Sequence, residues 1–206
     1  VAKGHSEFSG KLGEQVASPL VTLIDDGSLP GEWGSLHMDD EGIPTRRNVL
    51  IHRGVLRSYM IDRLEGRRMG MAPTGSCRRQ NYRFCPESRM TNTFIAPGEN
   101  TREQIISATE KGLYVGNING GSVNPATGDF NFNVLDAWLI ENGRITRPVY
   151  GATLIGNGAE VLKNVDMVGN NLLLGQGYCY NNSGALYINA GQPTLRVKQI
   201  LVGGLE

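Results

Sequence analysis

The sequence predicts a β-rich α+β fold, built mostly from antiparallel sheets with two or three short helices. Three observations carry this. Arg53-Gly54 and Asn142-Gly143 lie between apolar runs, where a tight hairpin needs positive φ. Phe130, Phe132 and Val134 alternate with Asn131 and Asn133, as in a strand with one covered face. Only one segment, Thr101 with Gln104 ahead of Ile105 and Ile106, carries a strong helix-start pattern, the capping box.

Taken in order, Pro19 to Ile24 is a short β-branched run closed by Asp25-Asp26-Gly27, the pattern of a buried strand ending in a turn. Residues 28–47 read as loop, with Pro30-Gly31, Trp33-Gly34 and the acidic trio Asp39, Asp40 and Glu41. From Asn48 to Ile61, NVLIH and VLRSYMI form two strands around Arg53-Gly54, and Asp62 to Met69 suits a short helix. Gly70 to Glu87 has no sustained period and is the longest irregular stretch. The capped helix after Thr101 is expected to run until Gly112 stops it. Strands follow at Leu113 to Ile118 and Asp129 to Ile140. In the second of these the apolar parity changes at Leu135, which predicts a bulge or a strand covered on both faces. Glu141-Asn142-Gly143 turns it back into Arg144 to Tyr150. A short helix near Ala159 to Val165 and strands at Ala185 to Ile188 and Thr194 to Val202 complete the chain.

A length of 206 residues suits a single domain with one full core, and no stretch is long enough to span a bilayer. Twenty basic and twenty acidic residues cancel, which removes the global attraction that non-specific nucleic-acid binding depends on. Three cysteines, Cys77, Cys85 and Cys179, are an odd count with no secretory signal before them, and this points to a reducing cytoplasm. The sequence opens at Val1 without methionine, so an N-terminus further upstream is expected.

Few residues offer chemistry. His5, His37 and His52 form no H-E-x-x-H pair; His5 with Glu7 offers two ligands at most, against a plain surface pair, and His52 fits a solvated strand end. Arg78, Arg79, Arg83 and Arg89 around Cys77 and Cys85 are a setting that lowers a thiol pKa, although the cysteine spacing matches no common zinc knuckle. The arginine density from Arg63 to Arg89 suits an RNA or phosphate surface or, more simply, internal pairing with Asp25, Asp26, Asp39, Asp40 and Glu41. Residues 116–121 (GNINGG) do not open a helix and so make no phosphate cradle. Cys179 sits in GQGYCYNNSG (175–184), read as a glycine- and asparagine-rich loop. Its thiol either binds a metal or fills a small apolar pocket.

A series of short stretches carries further. FSGKLGE (8–14), DDGSLPGEWGS (25–35), DDEG (39–42), MGMAPTG (69–75), RMTNT (89–93), KGLY (111–114), IENG (140–143), GATLIGNG (151–158), MVGN (167–170) and GQPTL (191–195) occur in this order. Together they resemble the C-terminal domain of the TldD/PmbA family, named both as modulators of DNA gyrase and as peptide-maturation proteases. The TldD branch of that family implies a zinc peptidase. Its H-E-x-x-x-H helix supplies two histidines and a glutamate base, and a C-terminal cysteine, aligned with Cys179, supplies the third ligand. The helix belongs upstream of FSGKLGE, so the resemblance implies an N-terminal part beyond this chain, no catalytic residue within it, and no activity for it alone. It also implies small or unfolded peptide substrates that add to a sheet edge in an enclosed cavity, with Thr74, Gly75, Arg89 and Asn92 near that cavity. The partners it implies are a second copy in a homodimer or a PmbA (TldE-type) subunit, without direct nucleic-acid binding. The alternative is a metal-free, non-catalytic PmbA-like partner, for which a cysteine at 179 has no purpose.

Overall fold

The computed structural model describes residue 4 and residues 6–204. The elements in chain order are β1 (Leu23–Asp26), β2 (Arg47–His52), β3 (Val55–Leu56), α1 (Arg63–Met69), β4 (Cys77–Arg78), β5 (Glu87–Ser88), β6 (Asn92–Ile95) and α2 (Arg102–Ser107). They continue with β7 (Lys111–Val123), β8 (Asp129–Glu141), β9 (Arg144–Val149), β10 (Thr153–Asn157), α3 (Gly158–Lys163), β11 (Val165–Val168), β12 (Leu173–Asn181), β13 (Gly184–Gln192), β14 (Leu195–Val197) and β15 (Leu201–Gly203). The predicted class holds: among the described residues three short helices accompany sheets whose strand pairs are antiparallel except β13 with β6.

Among the described residues the larger sheet runs β12-β13-β6-β1-β2-β3, and the second runs β15-β10-β8-β7 with β9 also on β8. The main apolar cluster lies beside the larger sheet, where Val16, Ala17, Val21, Ile51, Leu56, Val165 and Val168 are buried and Phe8, Leu23, Tyr59 and Leu162 pack on them. Each such aliphatic side chain, fully withdrawn from water, contributes about 1.5–3 kcal/mol. No helix among the described residues is long and apolar enough to cross a membrane.

Local chemistry explains the elements that match. Arg53 (φ 47) and Gly54 (φ 82) form the β2–β3 turn, and Asn142 (φ 51) and Gly143 (φ 73) form the β8–β9 turn, both with consecutive left-handed residues. Asp62 caps α1 by accepting from the Glu65 amide at 2.8 Å. Thr101 and Gln104 form the reciprocal capping box of α2. The parity change at Leu135 is a bulge: Asn117 faces Asp136 while Ile118 faces Val134, so Leu135 has no partner across the ladder.

Other expectations are corrected. β1 begins at Leu23 rather than Pro19, because a turn in which the Val21 amide donates to Ser18 precedes it. β3 stops at Leu56, since the amides of Arg57 and Ser58 both turn onto the Leu50 carbonyl. Gly112 does not end α2; the helix closes at Ala108 and Gly112 lies inside β7, opposite Ile140. The third helix ends at Lys163, and Val165 opens β11. Thr194 to Val202 is two strands in different sheets, β14 on β11 and β15 on β10. Most consequential for chemistry, 175–181 is not loop but part of β12, whose nine residues pair with β13 from Leu173↔Gln192 to Asn181↔Gly184.

Candidate functional site

Cys179 sits on the terminal strand of the larger sheet, directly opposite Leu186. Its side chain is half-buried and its thiol is free of any disulfide. Strand alternation puts it on the face of Leu186 and Ile188, both buried. The opposite face carries Tyr178, Tyr180 and Tyr187, each at least half exposed, with the Tyr178 and Tyr187 rings 5.1 Å apart and Trp33 edge-on to Tyr187 at 4.7 Å. A cleft of about 270 Å³ opens beside this hairpin, walled by Leu36, Arg78, Arg79, Tyr178, Leu186 and Tyr187 among others; Cys179 is not one of its walls.

The tip of the hairpin is pinned from below. Arg89, only 3% exposed, donates to the Cys179 carbonyl, the Ser183 hydroxyl and, at 3.1 Å, the Gly184 carbonyl. Its own amide donates to the Ser76 carbonyl at 2.8 Å. Gln80 makes a second anchor, its amide donating to Ser183 and its side-chain oxygen accepting from the Ala185 amide. Gly184 is in the left-handed region (φ 92), and a Cβ there would meet the Gln80 Cβ at 2.5 Å. The tip is therefore docked too closely for a larger residue.

The other three residues expected at the cavity are committed to the framework. The Thr74 hydroxyl accepts from the Ile61 amide at 2.7 Å and reaches the Ser76 hydroxyl at 3.0 Å. Gly75 (φ 73) lies where a Cβ would collide with the Pro44 carbonyl. The Asn92 side chain, fully buried, donates to the Asp26 carbonyl (2.6 Å) and Ser35 hydroxyl (2.8 Å) and accepts from the Gly34 amide (3.1 Å). Of the four, Arg89 alone bonds to the end of the hairpin that carries Cys179, while Asn92 lies beside its other end, paired with Asn189 of β13.

The arginine-rich segment pairs internally in part. Arg79 lies 3.7 Å from Asp40, and Arg78 is buried, donates to the Met90 carbonyl at 2.7 Å, and is within electrostatic reach of Asp25, Asp40 and the Cys179 thiol. The arginines do not lower the Cys77 thiol. Burial pushes it well up, and Glu41, Asp62 and Asp39 push in the same direction. His5 lies outside the described residues; His37 and His52 are exposed and separate. Among the described residues no three His, Cys, Asp or Glu side chains are grouped to hold a metal ion. A single soft donor, Cys179, fits one position of a zinc set whose remaining ligands come from elsewhere.

Two features were missed from sequence. Asp25 is a fully buried carboxylate, and its only written signal was the acidic pair that ends an apolar run. The tyrosine face was written in Tyr178 and Tyr180, which a strand reading of 175–181 would have placed on one side.

The family model for the PmbA/TldA metallopeptidase C-terminal domain matches residues 1–204. A metalloprotease TldD homolog of Haemophilus influenzae is 44% identical over 204 residues, covering 98% of this chain and 42% of that protein. A zinc metalloprotease TldD homolog of Saccharolobus solfataricus is 30% identical over 192 residues, covering 93% of this chain and 43% of that one. The crystal structure of TldE from Thermococcus kodakarensis superposes with a TM-score of 0.81 at 26% identity, covering 99% of this chain and 46% of that one. The chain thus spans less than half the length of these relatives.

Proposed function

Because the chain belongs to the PmbA/TldA metallopeptidase C-terminal domain family, we propose that it is the C-terminal domain of a TldD-like zinc peptidase acting on small or unfolded peptides. In this reading an N-terminal domain and an H-E-x-x-x-H helix precede it in the full-length protein. Cys179 is the third metal ligand. The observation that carries the reading is the placement of that thiol: unpaired, half-buried, and on a terminal strand whose tip is held rigid by a buried arginine.

Bound zinc would supply Lewis acidity toward a peptide carbonyl and acidify a water molecule. The chain's own residues do the rest of what can be assigned to them. Cys179 provides a soft anionic donor, and Arg89 and Gln80 fix the hairpin that presents it. β12, as the terminal strand, leaves main-chain groups free on its outer side, and an extended peptide paired there would be held with little regard to its sequence. Thr74, Gly75 and Asn92 contribute to the surrounding framework through their bonds and close packing. The assembly proposed is a cytoplasmic dimer, either of two copies or with a PmbA (TldE-type) subunit.

The test is zinc content and peptide hydrolysis of the full-length protein with and without Cys179→Ala. Loss of zinc together with roughly a hundredfold or greater loss of rate is expected, since a ligand is removed outright. Full zinc occupancy and full rate in the variant would remove Cys179 from the ligand set, whereas a wild-type protein without zinc and without hydrolysis would move the chain to the non-catalytic, PmbA-like reading, for which the TldE likeness already provides the fold.

A further inference from the structure

We propose that Arg89 is a positioning residue for Cys179, fixing the strand end that presents the thiol to the metal; this rests on the reading of Cys179 as a ligand. Among the described residues the guanidinium sends its side-chain bonds to one hairpin, to the Cys179 carbonyl, the Ser183 hydroxyl and the Gly184 carbonyl. These acceptors bracket the residues between the ligand and the turn. A planar fork that grips three acceptors sets both the position and the orientation of the segment it holds, which a single flexible ammonium cannot do.

The setting makes this anchor necessary. β12 is a terminal strand, so Cys179 has a neighbour strand on one side only. From its other side nothing in the larger sheet limits twisting or fraying, the usual behaviour of a strand end. Arg89 supplies a constraint from the β6 side of the hairpin, three residues before Asn92, which pairs with Asn189 of β13, and it is itself held, since the Arg89 amide is bonded to Ser76 and its side chain is 3% exposed.

The partners of Arg89 bear on the same role. Among the described residues no carboxylate lies within ion-pair distance of Arg89, so a buried cation is satisfied by neutral acceptors alone. The charge strengthens each of the three bonds and so holds the strand end more firmly than neutral donors would. A charge beside the strand that carries an anionic ligand suits a metal site, where groups behind the ligands tune how firmly they are held.

The experiment is an equilibrium titration of the metal-free full-length protein with cobalt(II), reading thiolate-to-cobalt charge-transfer absorption. Arg89→Lys keeps the charge and loses the fork; it should retain the band and bind cobalt roughly 10–100-fold more weakly. Ser183→Ala removes one acceptor without touching the arginine and should weaken binding several-fold, about a third to a half of the Arg89→Lys effect on a logarithmic scale. Val165→Ala, in the apolar cluster of β11, should lower Tm yet leave cobalt affinity unchanged. Wild-type affinity in both Arg89→Lys and Ser183→Ala overturns the proposal while leaving Cys179 a ligand. Equal weakening in Val165→Ala at matched Tm also overturns it, because the effect would then be general stability. A wild-type band that is absent, or that survives Cys179→Ala, removes the ligand reading itself, and the positioning role falls with it. Should Arg89→Lys fail to fold, Ser183→Ala decides alone.

Discussion

Asp25 and Thr91 are joined twice across 66 positions of sequence. The Thr91 amide donates to one carboxylate oxygen at 2.7 Å and its hydroxyl to the other at 2.9 Å, and the Thr93 hydroxyl adds a third bond at 2.7 Å. This fastens β1 to β6 in the centre of the larger sheet, where Asp25 is fully buried. Burial raises its pKa above the ordinary 3.8, against the opposing pull of those bonds and of Arg78. A raised carboxyl binds its proton more tightly folded than unfolded. Its contribution is therefore complete below pH 3.8 and is lost as pH climbs through the folded value. Urea unfolding of wild type and Asp25→Asn across that range should show wild type's advantage greatest in acid and shrinking upward. An advantage that grows with pH instead would contradict the assignment.

The three thiols should differ in reactivity. Cys77 is fully buried, its pKa is pushed well up, and its amide is tied to an Asp39 carboxylate oxygen at 3.0 Å. Cys85 is exposed and Cys179 half-buried. Alkylation of the metal-free protein followed by mass spectrometry should label Cys85 first, then Cys179, and Cys77 only on unfolding. Each unit by which a thiol pKa rises cuts its thiolate fraction about tenfold. Labelling of Cys77 at the rate of Cys85 in the folded protein would refute this order.

Turns and caps were legible because single residues dictate them. Arg53-Gly54, Asn142-Gly143 and the Thr101–Gln104 box all form as their letters require. The bulge at Leu135 was legible because a strand's period of two makes any slip visible. β12 was not. A terminal strand exposed on most of its length needs no apolar alternation, so Gly175, Gln176, Gly177 and Asn181 read as loop although the ladder with β13 is continuous. Burial was equally hidden for polar letters. Thr74 and Asn92 look like surface chemistry, yet Ile61, which bonds Thr74, and Asp26 and Gly34, which bond Asn92, are distant in sequence and appear as partners only once the chain is folded.

Asn92 offers a direct separation of framework from substrate contact. Its amide nitrogen faces the Asp26 carbonyl and the Ser35 hydroxyl. Asn92→Ala should cost about 2–4 kcal/mol in urea unfolding, through lost bonds and three partners left without theirs. Asn92→Asp keeps the shape but turns an acceptor oxygen toward the Asp26 carbonyl, and should cost a similar amount. Unchanged stability in both variants would return Asn92 to a role in contacting peptide.

Arg196 ties the β11–β14 pair to the end of α2. Its Nε and Nη2 donate to the two oxygens of Asp166 at 2.8 Å each, and Nη1 donates to the Ala108 carbonyl at 2.8 Å, the C-cap of that helix. The two-pronged bond from Arg196 holds the Asp166 carboxyl below its ordinary 3.8, outweighing a smaller cost of burial. Here the sign is opposite to that of Asp25. A depressed carboxyl contributes stability above pH 3.8 and loses it as pH falls through the folded value. Because the pair is about a quarter exposed, solvent screening limits it, and Arg196→Lys should cost about 1 kcal/mol near neutrality. That gap should narrow in acid as Asp166 takes up its proton, leaving only the bond to Ala108. Urea midpoints of wild type and Arg196→Lys, followed downward in pH, measure it. A gap that stays constant into acid would mean the fork stabilises through Ala108 and packing, and that the carboxylate contributes nothing.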